Sequence, residues 1–467
     1  MNKRYLFLLV ALAAMLSVIF LTPETEGLKH QGKVALGVGV FAIIVWVTQA
    51  LDDAQSGFCI VAFLVLFGAA KLGGALAGYA TGGVWIVMLG MVMAAGMERS
   101  GLSRRMALKM VTFAGSSARR LYWMVTLITL VMTFFIPSLG AKTLLLMPIL
   151  AQMGHAFGAE KGQSSLVKGL IFVVTITGTI YCIGILTSHA ANPITASILE
   201  KGTGHVVTWA EWFSIGGLPA IACGLLAVPI ILWMWPPDVT DISEGQAYVH
   251  AELDKLGPIT NIERYTLVVF LLTLALWATD KFHGINSTVV ALMSVIAMIS
   301  PGPQQIMTWK EAEKKVPWNI FIVYGAGLSM GAVLVSSGAA KWIAETFFYG
   351  LVGIDVKLQV VIFIWLMLLL QVLFTGAGPK TTALTPVIVA YAVGTGLDPS
   401  PFVLLVGMNM LHQYLLPVSN LPNIIGLATE EITPGELIRT GLVMSIYGAG
   451  FMTVMVYTYW TWIGMFN

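Results

Sequence analysis

Two eleven-residue stretches, far apart in the chain, interrupt long apolar runs in the same way. Ser138–Pro148 reads S-L-G-A-K-T-L-L-L-M-P, and Gly376–Pro386 reads G-A-G-P-K-T-T-A-L-T-P. Five of the eleven positions agree: Gly140/Gly378, Lys142/Lys380, Thr143/Thr381, Leu146/Leu384 and Pro148/Pro386. Each stretch follows an apolar run, Leu121–Pro137 or Val360–Phe374, and each leads into another. An apolar helix, a break of small residues with one lysine, and a second apolar helix make a hairpin that dips into a bilayer and returns. Non-helical backbone at that depth must be buried in protein or line a cavity, because lipid offers its N–H and C=O groups no partner. Two such hairpins, one per half, imply a transporter with its substrate between the tips.

The rest of the chain agrees with a membrane setting. It has 467 residues, 57% hydrophobic and 10% charged, with a mean hydropathy of +0.86. Soluble domains carry roughly 25% charged residues, so the expected fold is an all-α polytopic protein surrounded by lipid. A net charge of +2 with no basic face excludes nucleic acid as a partner. Cys59, Cys182 and Cys223 all lie in apolar runs, with neither disulfide nor metal spacing. Met1–Thr22 opens with Lys3 and Arg4 and then turns apolar, and no small-residue cleavage site follows it. It reads as a retained first span. No H-E-x-x-H and no paired carboxylates point to an intramembrane enzyme. Gly327–Gly331 (G-L-S-M-G) matches a nucleophile elbow by letter. That motif needs a strand–turn–helix setting, and here it sits inside a span, where small residues serve helix packing.

Spans are expected near 5–22, 33–50, 57–72 and 83–97, followed by a basic amphipathic stretch, Gly101–Arg120, in the interface. The first hairpin fills about 121–157. A span at 165–186 breaks at Thr187–Pro193 (T-S-H-A-A-N-P) and resumes to Leu199; Thr208–Ile215 lies in the interface, and 216–235 spans. Pro236–Asn261 is the one long polar connection. The second half repeats the plan. It has spans at 263–279, 285–300 and 318–336, an amphipathic Gly338–Leu351, a hairpin over 357–396, a span at 401–416 broken at Pro417–Pro422 (P-V-S-N-L-P), and a last span at 440–464. Counting each broken span once gives about 11 transmembrane helices plus two re-entrant hairpins.

The halves align at several points. Gly90 matches Gly325, Ser100-Gly101 matches Ser337-Gly338, Lys142 matches Lys380, and Ser188-x-x-x-Asn192 matches Ser419-x-x-x-Asn423. T-x-x-E at Thr208–Glu211 matches Thr433–Glu436. The offsets run 235, 237, 238, 231 and 225, as in a diverged duplication. Five spans per half would invert the second copy. With a cytoplasmic N-terminus, cytoplasmic segments hold 16 of the 25 Lys and Arg and external segments hold seven, in keeping with the positive-inside rule. The two left over are Lys142 and Lys380. The first hairpin then enters from the cytoplasm and the second from outside, with their tips near the middle.

Those two lysines are the only basic residues placed inside the membrane, and no carboxylate sits mid-span; Asp52 and Asp53 lie at a span junction. A lone cation at that depth costs several kcal/mol. The substrate itself is the expected counter-ion, an anion of about two charges. Helix N-termini starting near Thr143 and Thr381 would add unpaired N–H groups and positive dipole ends. The alternatives are lysines that snorkel to a surface or sit uncharged. The span breaks are the second pair of candidates. Ser188, His189 and Asn192, and equivalently Ser419, Asn420 and Asn423, lie in unwound backbone that can bind substrate or a small cation. The plainer reading is a break satisfied by its own Ser and Asn side chains. His189 is a possible proton carrier, while His412 reads as structural.

These features together resemble the divalent anion:sodium symporter family, carriers of di- and tricarboxylates and of sulfate. The resemblance spans nearly the whole chain. Leu416–Ile424 (L-P-V-S-N-L-P-N-I) is similar to the family's last broken helix, and Glu98–Ala107 (E-R-S-G-L-S-R-R-M-A) is similar to its first interfacial helix. The family places Ser-Asn-Thr at each tip, ten residues before a proline. Here those positions read Ser138-Leu139-Gly140 and Gly376-Ala377-Gly378, so five of six are replaced. The resemblance implies a homodimer and an elevator motion of a transport domain (121–236 and 357–467) against a scaffold (1–120 and 237–356). In the family the motif side chains and nearby carbonyls hold sodium and touch substrate carboxylates. A sodium ion a few Å from a lysine would be repelled by about 4 kcal/mol at an effective dielectric near 20. The expectation is therefore a sodium-independent exchanger or proton-coupled carrier of a dicarboxylate-like anion in the inner membrane. It would have no cofactor, and Ser138, Gly140, Lys142, Thr143, Gly376, Gly378, Lys380 and Thr381 would join the break residues at the site. A sodium-coupled symporter, a sulfate or sulfonate carrier, and a channel are the competing readings.

Overall fold

A computed structural model describes residues 3–156, 160–316, 318–374 and 376–466. Ten described helices are long and apolar enough to cross a membrane. Among the described residues no strand forms beyond two isolated bridges. The opening helices are α1 (Lys3–Leu21), α2 (His30–Thr48), α3 (Asp53–Leu66), α4 (Leu72–Ala75), α5 (Gly82–Ser100) and α6 (Leu102–Thr112). The first hairpin is α7 (Ala118–Phe135) and α8 (Leu139–Ala156). The first broken span is α9 (Ser165–Ile183) and α10 (Ala191–Thr203), followed by α11 (Trp209–Met234) and the linker helix α12 (Ser243–Lys255).

The second half begins with α13 (Asn261–Ala278), α14 (Asp280–His283), α15 (Ser287–Ile299) and α16 (Trp309–Lys315). It continues with α17 (Trp318–Ser336), α18 (Ala339–Phe347), and the hairpin α19 (Val356–Leu370) with α20 (Ala377–Gly394). The broken span α21 (Pro399–Asn409) and α22 (Leu421–Ala428) leads to α23 (Pro434–Tyr457). From α5 and α17 onward the two halves list the same parts in the same order: long helix, short amphipathic helix, two hairpin arms, broken helix, long helix.

Local chemistry sets these boundaries. The two T-x-x-E matches are capping boxes: Thr208 with Glu211 opens α11, and Thr433 with Glu436 opens α23. Each satisfies two of the N–H groups that a helix start leaves without partners. A box on Thr308 opens α16, where the Thr308 N–H holds the Glu311 carboxyl below its ordinary range. Gly101 and Gly338 take φ of +81° and +79°. This left-handed turn ends α5 and α17, and glycine enters it without a Cβ clash.

Three expectations shift. Thr208–Ile215 is not interfacial: the box starts one unbroken 26-residue helix that runs through Gly216 and Gly217. Arg119 and Arg120 belong to the first hairpin arm, so the basic interfacial helix ends at Thr112. The breaks are also placed differently. The first lies at 184–190 rather than Thr187–Pro193, and the second extends over 410–420 with a short turn at Pro417–Ser419.

The G-L-S-M-G segment lies in α17, where Ser329 Oγ accepts from Gly78 N at 2.8 Å. A Cβ on Gly327 would fall 2.9 Å from Thr382, and one on Gly331 would fall 2.8 Å from Pro386. The glycines thus let α17 lie directly against the second hairpin arm, α20, as small residues do in membrane helix pairs.

Candidate substrate-binding site

The two hairpins and the two breaks converge on one cavity of about 620 Å³, within the usual range for small-molecule sites. Ser138 and Gly140 line it from the first tip, and Gly376 and Gly378 from the second. Ser188 and His189 line it from the first break, and Ser419 and Asn420 from the second. The halves interlock here. A Cβ on Gly140 would meet Leu421 of α22 at 2.4 Å, and Asn420 Nδ2 donates to Thr179 Oγ1 of α9 at 3.1 Å.

The helix starts lie elsewhere than expected. α8 begins at Leu139 and α20 at Ala377, a full turn before Thr143 and Thr381. At the first tip Ser138 closes the start, its Oγ accepting from Ala141 N at 3.3 Å. Two further helices begin on the same cavity: α10 after Ala190 and α22 at Leu421. Four helix N-termini therefore face one space, each with the positive end of a peptide dipole, although in α10 the first N–H groups are taken by His189 and Pro193 has none. No Lys or Arg side chain lines the cavity, so its attraction for an anion comes mainly from backbone. That is the arrangement by which a helix start binds carboxylate, sulfate or phosphate.

Six of the expected site residues do not line the cavity: Lys142, Thr143, Asn192, Lys380, Thr381 and Asn423. Lys142 is 2% exposed and turns into the protein, donating from Nζ to Thr133 Oγ1 at 2.8 Å and to Cys182 Sγ at 3.1 Å. Cys182 is in the last turn of α9, so the Lys142 Nζ lies at the C-terminal end of that half-helix. Lys380 is equally buried and lies within electrostatic reach of His412, just past the end of α21. Half-helix C-termini of this kind are where transporters of broken-helix design hold sodium. Both lysines are thus buried behind the tips and do not line the cavity.

Four break residues have structural partners. Ser188 Oγ donates to Ile185 O at 2.7 Å, and Asn192 Nδ2 donates to Cys182 O at 2.7 Å and to Ile185 O at 2.9 Å. In the second half Ser419 Oγ donates to Leu416 O at 2.7 Å, and Asn423 Nδ2 donates to Leu416 O at 2.9 Å and to Tyr414 O at 3.5 Å. These bonds satisfy carbonyls freed by the unwinding, which would otherwise be costly in an apolar interior. The same job is done by the same residues twice. His189 and Asn420 are the equivalent residues left facing the cavity, both in extended backbone. His189 Nδ1 accepts from Ala191 N at 3.1 Å, and His412 Nδ1 pairs with Tyr414 OH at 2.8 Å.

The opposite wall was not anticipated. Gln49, Asp53 and Tyr324 bring polar groups to it, among apolar Val47, Met91 and Val323. A Cβ on Gly378 would fall 2.3 Å from the Tyr324 hydroxyl, so this wall touches the second tip.

The likeness to known proteins extends over the whole chain. The family model for the sodium:sulfate symporter transmembrane region matches residues 3–466. The citrate/succinate antiporter of Escherichia coli K12 is 25% identical over 496 residues, covering 100% of this chain and 99% of that protein. The sodium-dependent dicarboxylate transporter SdcS of Staphylococcus saprophyticus is 23% identical over 456 residues, covering 93% and 87%. Among solved structures, the YdaH transporter of Alcanivorax borkumensis shares the fold with a TM-score of 0.60 at 14% identity, covering 93% of this chain and 99% of that one. Matched from end to end by that family model and by carriers with di- and tricarboxylates in their names, the chain is a multi-pass membrane transporter of the divalent anion:sodium symporter family.

Proposed function

We propose that this protein is a secondary carrier of small divalent organic anions of the dicarboxylate type, and that it works without sodium, by exchange or by proton coupling. The observation that carries the reading is the set of four helix N-termini on one cavity, an anion site built largely from backbone between the two hairpins. The relatives named for dicarboxylates and for citrate and succinate support the substrate class. Sodium independence is supported by two features. Five of six Ser-Asn-Thr positions are replaced, and Lys142 holds its ammonium at a half-helix C-terminus, against Thr133 and Cys182. The residues present do not fit a sodium ion beside that ammonium.

Transport would proceed by an elevator motion. The hairpins and broken helices carry the anion past a scaffold that includes α3, α5 and α17. The distribution of Lys and Arg supports an N-terminus in the cytoplasm of an inner-membrane protein, and the resemblance supports a homodimer. The runner-up is a sodium-coupled symporter or a sulfate or sulfonate carrier, favoured by the family model's description and by the sodium-dependent relative.

Competition against radiolabelled succinate uptake in proteoliposomes tests the reading. Dicarboxylates should compete best and sulfate and sulfonates poorly. Uptake blocked by sulfate and untouched by dicarboxylates would replace this reading with the runner-up. A steady, non-saturating conductance in place of counterflow would point to a channel.

A further inference from the structure

Most of the cavity favours an anion, yet its scaffold wall carries a carboxylate. Asp53, the first residue of α3, is the only Asp or Glu in the lining. It is not needed to start its helix, because Asp52 before it forms the capping box with Gln55, whose Oε1 accepts from Asp52 N at 3.1 Å. Asp53 pairs instead with the side chain of Asn319, the second residue of α17. The described ion pairs do not include it. Tyr324 lies on the same wall and packs against the second tip at Gly378.

The chemistry of these groups restricts what can sit between the walls. Helix N-termini offer donors only, and they suit carboxylate oxygens. An ionised carboxylate offers acceptors only. A ligand filling the cavity therefore needs carboxylate oxygens toward the helix starts and a hydrogen-bond donor toward Asp53. Sulfate has acceptors on every side and meets Asp53 charge against charge. Succinate can keep both carboxylates on the helix starts but has no donor for Asp53. A dicarboxylate with a hydroxyl on the carbon beside the carboxylate can present oxygens to the helix starts and donate its O–H to Asp53. Sites built around one substrate hydroxyl discriminate far more strongly than apolar pockets do, because the analogue without it leaves a buried polar group unpaired.

We infer that Asp53 is a specificity-determining residue that selects 2-hydroxydicarboxylates of the malate type over their deoxy analogues and over oxyanions that carry acceptors alone. The inference rests on the transport reading above and narrows its substrate.

The test is uptake of labelled malate into proteoliposomes at fixed pH, with malate, succinate and sulfate as competitors, for the wild type and Asp53→Asn. In the wild type malate should compete at concentrations about tenfold or more below sulfate, with succinate between. Asp53→Asn should bring all three within about twofold of one another, since the amide donates to an acceptor and carries no charge. Asp53→Ser, with ligand-induced shifts in melting temperature of the purified protein, gives the same comparison if the Asn variant folds poorly. An unchanged competition order in the variants, or a wild type indifferent to the hydroxyl, overturns the inference and leaves the transport reading standing. A wild type that takes up none of the three anions overturns both.

Discussion

The two hairpins seat their lysines against different surroundings. Lys142 has Thr133 nine residues before it and Cys182 on the broken helix, and its ammonium bonds both. The same spacing in the second half puts Gln371 nine residues before Lys380, and Gln413 at the position matching Cys182. Both glutamines are buried to within 1%. Each keeps an atom without a hydrogen-bond partner, Gln371 Oε1 and Gln413 Nε2. Short side chains take two hydrogen bonds from the first lysine, while the long amides near the second each keep an unpaired atom. Buried polar groups in native proteins are nearly all paired, and the two glutamines are where the surroundings of the second lysine depart from that rule.

The largest expected effects come from the lysines. Lys142→Ala and Lys380→Ala should each slow initial malate or succinate uptake by tenfold or more, above about 1.4 kcal/mol. Lys142→Ala should be the more severe, because it strips two made hydrogen bonds. Wild-type rates in both variants would remove the lysines from the mechanism, and a larger loss in Lys380→Ala would reverse the comparison.

The break asparagines come next. Asn192→Ala removes one donor each from Cys182 O and Ile185 O, which Ser188 also serves, and should cost roughly 1–3 kcal/mol for two lost hydrogen bonds. Asn423→Ala should cost less, since one of its two bonds is stretched to 3.5 Å. Melting temperatures in detergent give the order directly. Equal melting temperatures for the two variants and the wild type would mean that water closes the breaks instead.

The tip glycines separate on a finer scale. Alanine at Gly378 drives a methyl group into the Tyr324 ring and hydroxyl, at 2.3–2.6 Å. Overpacking of that kind costs about 1–3 kcal/mol. Alanine at Gly140 meets the flexible end of Leu421, which can rotate away, so its cost should stay below about 1 kcal/mol. Adding Tyr324→Ala should rescue Gly378→Ala and leave Gly140→Ala as it was. Failure of that rescue in a stability assay would locate the clash elsewhere.

Much of this architecture was legible in the chain. The hairpins, the breaks and the lysines announce themselves because a polar or small residue inside an apolar run has few explanations in a bilayer. The lysines' direction was not legible. Their duplication points to a shared substrate, but the burial of each side chain away from the cavity is a tertiary feature. The break residues were read as ligands or as self-satisfying groups, and the hydrogen bonds of Ser188, Asn192, Ser419 and Asn423 favour the second. The helix starts lie a turn before Thr143 and Thr381 because the first turn of a helix tolerates glycine, behind the Ser138 cap in α8 and behind Gly376 in α20. Gln49, Asp53 and Tyr324 carry no local signal at all. Asp53 reads as one more acidic residue at a helix start, and only the packing of α3 against α17 brings it to the site.

The account stands or falls on lysine taking the place of sodium. Counterflow of labelled malate in proteoliposomes, with sodium replaced by choline on both faces at fixed pH, measures this directly. Saturable counterflow at a rate within about twofold of that in sodium is the expected result, well under the tenfold that 1.4 kcal/mol would bring. Collapse to the level of empty vesicles without sodium would contradict it.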